Sequence, residues 1–259
     1  VSALSAALEH AVRGARRLKE AQVRDTHDPT RGATDISPVI QGWRGAQPVV
    51  LLAPARVNRD DALYAARLAA VGFGCDILSF TVEGWQAADP ERNPTTGKLW
   101  GPGEMQRAVE EEGALEAGWI TEALTTNVVN RAGDVLGAVL PYRVDPRVSA
   151  LDITSYGLEW GQQPDLAQEA EWGGLVVDHL VDFMNEPPVD ALMAQADLPP
   201  ADSFRLSDEE ARAHIDCAVV KTLRRSGFEG AVMLQADSPV RASVIERSLV
   251  GYSGIPSPW

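Results

Sequence analysis

Cysteine, lysine and histidine are scarce in this chain, and each scarcity closes off a class of function. The two cysteines, Cys75 and Cys217, stand alone with no CxxC spacing, so neither a disulfide framework nor a thiolate zinc knuckle is signalled. Cys75 begins an apolar run, where a small core residue is the natural reading. Lysine occurs only at Lys19, Lys98 and Lys221, and every other basic residue is arginine. Beside abundant Ala, Gly and Val, that bias points to a GC-rich genome. The four histidines, His10, His27, His179 and His214, are nowhere paired at metal-ligand spacing, and a lone helical histidine such as His179 or His214 reads as a packed or surface residue. There is no GxxxxGK followed by Ser or Thr, no GxGxxG, no GxSxG and no HExxH, so phosphate-loop, dinucleotide, serine-hydrolase and zincin chemistry have no support. No apolar run approaches the roughly 20 residues that cross a bilayer, and the N-terminal residues lack the apolar region of a signal peptide. The expected location is the cytoplasm or a virion assembled there.

What is present is an ordinary globular composition with a strong acidic bias. The 259 residues are 45% hydrophobic, enough to bury a substantial core, and carry a formal charge of -14. A broad phosphate-binding surface needs clustered Lys and Arg, so direct nucleic-acid binding is not expected. The clearest fold signal runs from Pro48 to Trp85. Residues 48 to 54 are a β-branched apolar run between prolines, which predicts a buried strand. Asn58, with Asp60 and Asp61 in the first turn, caps a small apolar helix ending near Gly72 and Gly74. Cys75 to Val82 predicts a second strand. Strand, helix and strand in so short a span predict a right-handed βαβ unit with a parallel pair.

Before that unit, residues 3 to 24 place Leu4, Leu8, Ala11, Ala15 and Leu18 on one helical face. Arg13, Arg16, Arg17, Lys19 and Arg24 make a basic stripe, read either as a solvated face or as a docking arm for an acidic partner or neighbouring subunit. Asp25 to Gln47 reads as a connector, in which His27, Asp28 and Asp35 match no metal motif. Gln86 to Gly103 is a turn-rich loop with Trp85 and Trp100 at its ends, anchoring the loop or lining a contact surface. A helix follows to about Glu112. Ile120 to Arg131 and Val135 to Val144 predict a hairpin turning at Gly133, and Ser149 to Ser155 a further strand. Beyond a polar boundary near Gly161, helices are expected over Gly174 to Met184, from the Ser207–Glu210 capping box to Arg225, and over Pro239 to Leu249, with a short strand at Ala231 to Gln235. The tail, Gly251 to Trp259 with Pro256 and Pro258, reads as extended, and Trp259 is placed to insert into a neighbour. The expected class is α/β, with α+β as the alternative: a mixed sheet built on the βαβ unit and hairpin, helices packed on it, and a mainly helical C-terminal region. The expected division is 1–24, 25–160 and 161–259.

Three functions compete. Asp76, Glu83 and Glu122, with Asp134 and Asp152 nearby, are acidic residues on or near strands that could gather a divalent cation for phosphodiester hydrolysis, with Lys98 or Arg131 steadying charge. Against this, Asp76 and Glu83 are an odd number of residues apart and fall on opposite strand faces. The rival is a structural or interaction protein, since seven tryptophans, a basic helix and a Pro-Trp tail suit subunit contacts. A third reading is an acidic inhibitor that imitates nucleic acid, but the charge is spread rather than patterned.

Gly72 to Trp85, Asn93-Pro94 through Gly103, Asn130-Arg131-Ala132-Gly133-Asp134 and Pro141-Tyr142-Arg143 together resemble uncharacterised proteins of high-GC actinobacteria and their phages. The likeness covers the middle third of the chain and transfers no catalytic residue. It implies a phage particle or accessory protein as the setting. The reading adopted is a non-catalytic structural or interaction protein, expected as a capsid, connector or tail-associated component acting through protein contacts as a homo-oligomer or with other particle subunits. Arg13, Arg16, Arg17, Trp85, Trp100 and Trp259 are its candidate contact residues. No cofactor, metal or membrane is expected.

Overall fold

The apolar steps near the N-terminus do produce a helix, α1 (Ala3–Asp25), begun by Ser2, whose hydroxyl accepts from the Ser5 amide at 3.1 Å. The computed structural model describes residues 2–25, 38–54, 72–89, 91–101, 103–115, 117–144, 158–161, 207–225, 228, 230–235 and 238–249. Within them follow β1 (Val39–Arg44), β2 (Gln47–Pro54), β3 (Ile77–Ala87), α2 (Glu104–Glu111), β4 (Ile120–Asn130), β5 (Val135–Val144), β6 (Leu158–Trp160), α3 (Asp208–Arg225), β7 (Gly230–Leu234) and α4 (Pro239–Leu249). The seven strands form one sheet in the order β6-β5-β4-β3-β1-β2-β7. The α/β class therefore holds. None of these helices is long and apolar enough to cross a membrane.

The parallel pair does not form. β1 lies between β2 and β3 and is antiparallel to both, so β2 and β3 run in the same direction without touching, and every neighbouring pair in the described sheet is antiparallel. β1 arises inside the expected connector Asp25 to Gln47. Its six residues hold Gly42 and Gln41, which break the apolar run, yet it closes with β2 through the two-residue turn Gly45-Ala46, pairing Arg44 with Gln47. The register slips between Gly42 and Trp43, leaving Val49 as the extra residue of a bulge. β3 also runs further than expected, to Ala87, because β4 pairs with it along its whole length. The β4–β5 hairpin forms as predicted, with Gly133 at a φ of 88° and the Asn130 side chain accepting from the Ala132 and Asp134 amides.

Strand alternation then sends side chains to two cores. On one face Trp43, Ile77, Leu124, Val128, Leu140 and Tyr142 pack under Leu4, Leu8, Ala11, Val12 and Ala15 of α1, each fully buried leucine contributing about 1.5–3 kcal/mol. On the other face Ile40, Val50, Leu52, Leu78 and Phe80 pack under Ala213, Cys217, Val220 and Leu223 of α3 and Val244 and Ile245 of α4. β7 extends the sheet beyond β2, so the C-terminal elements share this second core. The capping box forms, Glu210 accepting from the Ser207 amide and the Ser207 hydroxyl from the Glu210 amide. The expected elements at Asn58 to Ala70, Ser149 to Ser155 and Gly174 to Met184, and the tail, lie outside the described residues.

Candidate functional site

The apolar stripe of α1 does not end in Leu18. Leu18 is 37% exposed, while Lys19, assigned to the basic stripe, is fully buried. The step of four from Ala15 continues the buried face at position 19, and the sheet meets it there with charge. Lys19 Nζ donates to Glu83 Oε1 on β3 at 2.6 Å, and the Tyr142 hydroxyl on β5 donates to the same oxygen. The ammonium also stands 4.7 Å from the centre of the Tyr142 ring. Around this triad Arg16 stacks on Trp160 at 4.9 Å, Trp160 Nε1 donates to Glu20 at 3.2 Å, and Tyr142 meets Trp160 edge-on. The arrangement fixes α1 to β3, β5 and β6. It gives Glu83 a positive partner inside the core, where an unpaired carboxylate is costly.

The other carboxylates are not gathered with it. Asp76 is exposed, accepts from the Gly45 amide at 3.0 Å and stands 3.9 Å from Arg131. It braces the β1–β2 turn, roughly 20 Å along the extended chain from Glu83 and on the opposite strand face. Glu122 does share the face of Glu83, opposite Trp85 on β3 and Tyr142 on β5. Asp134 lies in the hairpin turn, bonded by Asn130 Nδ2, and Lys98 is exposed on the loop after β3. Among the described residues no group of three or more His, Cys, Asp or Glu could hold a metal ion. Asp152, His27, Asp28, Asp35 and Trp259 lie outside the described residues.

The contact candidates divide. Arg13 and Arg17 are exposed on the outer side of α1, Arg16 is half-buried against Trp160, and Trp85 is 39% exposed. Trp100 is an anchor: its Nε1 donates to the Asp89 carbonyl at 2.9 Å, and it packs with Met105 and Trp119 beside the small core under α2. His10, half-buried edge-on to Trp43, has its pKa lowered by burial, then by Arg13 and Arg17.

A second buried charge centre involves residues that carried no motif. Asp216 of α3 is fully buried. Arg44 Nη2 reaches its Oδ1 at 2.5 Å, Arg241 Nη2 its Oδ2 at 2.9 Å, and Arg212 Nε lies 3.6 Å from Oδ1. Arg44 also donates through Nε and Nη2 to the Phe73 carbonyl. Burial, then Arg44, lowers the Arg212 pKa. Burial pushes the neighbouring Cys75 thiol up to about 12 and Cys217 up to about 11, so both are inert core thiols. The available sequence signal was an aspartate at the spacing of the apolar face, three after Ala213 and four before Val220. No family model, curated protein or solved structure matches the chain.

Proposed function

We propose that the chain is a non-catalytic structural or interaction protein that assembles with further copies of itself, using the outer face of α1 as a contact surface. One observation carries this reading: Arg13 and Arg17, one helical turn apart, are exposed beside the 37% exposed Leu18 on a helix whose other face is buried in the core. A basic and apolar strip on a chain of charge -14 is complementary to the acidic surface of a second copy. The engagement of Glu83 by Lys19 and Tyr142 supports a structural role for one of the three carboxylates of the hydrolase reading. The sequence resemblance supplies the setting, a phage particle in which such a protein serves as a capsid, connector or tail-associated component.

The test is Arg13→Glu/Arg17→Glu, assayed by light scattering with far-UV circular dichroism as the fold control. The double variant should retain the wild-type spectrum and fall to the 27.9 kDa protomer mass. A multimer of unchanged mass would remove α1 as the contact.

A further inference from the structure

Arg212 is the guanidinium of the Asp216 centre that stands farthest from the carboxylate. Arg44 holds Oδ1 at 2.5 Å and Arg241 Nη2 stands 2.9 Å from Oδ2 as an ion pair, while Arg212 Nε, at 3.6 Å from Oδ1, is outside hydrogen-bond reach of that oxygen. Its Nε and Nη2 are buried and have no hydrogen-bond acceptor. Nη2 rests where a side chain on Gly74 would stand, 2.6 Å from that Cβ position, so the glycine is what lets the guanidinium lie against the backbone. Arg44 uses Nε and Nη2 on Phe73 and Asp216, which leaves the two N–H groups of Nη1 outside these bonds. Neither arginine is sealed in: their side chains are 24% and 30% exposed.

Buried guanidinium donors without acceptors are costly, and two neighbouring guanidiniums competing for one carboxylate oxygen repel each other. The buried Nε and Nη2 of Arg212 are out of reach of any ligand. The Nη1 groups of Arg44 and Arg212 are not among the buried unpartnered atoms, and an anion with several acceptor oxygens can bridge those two groups and offset the repulsion between the guanidiniums. We propose that Arg44 and Arg212, beside the Phe73-Gly74 backbone, form a binding site for a phosphate-type oxyanion, as free phosphate or as a phosphate monoester. The site is independent of the α1 contact surface, on the opposite face of the sheet. The Asp216 carboxylate behind it holds Arg44 in place, and its negative charge limits the site to a small anion lying outside the guanidiniums.

The experiment is titration of the whole protein with inorganic phosphate and with glycerol 3-phosphate, followed by calorimetry and thermal unfolding. Potassium chloride at matched ionic strength separates binding from screening. Saturable binding and a rise in Tm with either phosphate, beyond chloride, are expected. The tighter of the two identifies the source. Arg212→Gln should weaken binding by about tenfold or more, the loss of at least one charge-assisted bond, while Arg107→Gln, which removes the same charge from the exposed side of α2, should leave it unchanged. If Arg212→Gln does not fold, Arg212→Lys, which keeps the charge but not the fork, should weaken binding. The proposal is overturned if neither phosphate acts beyond chloride, or if the folded Arg212 variant binds as the wild type does.

Discussion

Replacing Lys19 with methionine keeps the length and apolar stem of the side chain and removes only its charge. In the wild type the ammonium is 2.6 Å from Glu83 Oε1, with side-chain exposures of 0% and 6%. The carboxylate left behind keeps the Tyr142 hydroxyl but has lost the Lys19 charge at a buried interface. Breaking a buried pair from one side costs about 3–5 kcal/mol, a large share of the roughly 5–15 kcal/mol that holds a domain folded. Lys19→Met/Glu83→Leu removes both charges and should recover a substantial part of that loss, giving a coupling energy of about 2 kcal/mol or more. Urea unfolding followed by tryptophan fluorescence reads this, since Trp43 and Trp160 flank the α1 interface. A loss below about 1 kcal/mol for Lys19→Met, the range of exposed pairs, would refute the claim that the triad fixes α1.

The remaining predictions concern the two cores. His10 has a folded pKa below its ordinary value of 6.5, so the unfolded chain binds more protons as pH falls. Stability should therefore drop as the pH falls through 6.5, and His10→Gln should flatten that part of the profile; a His10 NMR titration midpoint at or above 6.5 would contradict it. With thiol pKa values of about 12 and about 11, Cys75 and Cys217 should resist a thiol reagent near neutral pH and react together only on unfolding. A side chain at Gly42 collides with Cys75 Sγ, so Gly42→Ala should destabilise by about 1–3 kcal/mol. Adding Cys75→Ala should restore much of this in the same unfolding assay.

Elements with strong local signals were legible in the sequence. The capping box at Ser207–Glu210, the hairpin glycine at 133 and the proline-bounded strand at 48 to 54 each carry their own backbone chemistry, and each forms. β1 was not legible, because six residues interrupted by a buried glutamine and a glycine look like a loop until strands on both sides supply its hydrogen bonds. Missing β1 turned two strands of shared direction into a supposed pair. The charge centres failed for a related reason. Lys19 and Asp216 sit at apolar-face positions of their helices, and only the tertiary arrangement brings Glu83 and Tyr142 to one and Arg44 and Arg241 to the other. Glu83 is visible as a strand carboxylate, but its partner Lys19 lies 64 residues earlier on another element, a separation that carries no local signal.

The measurement that bears most directly on assembly as the function is the native mass of the wild-type protein by light scattering, over a range of concentrations and with and without Mg²⁺. A defined multimer of the 27.9 kDa chain, indifferent to the metal, is the predicted result. A protomer mass at every concentration would contradict self-assembly, and a mass that changed with Mg²⁺ would bring the carboxylates back as a cation site.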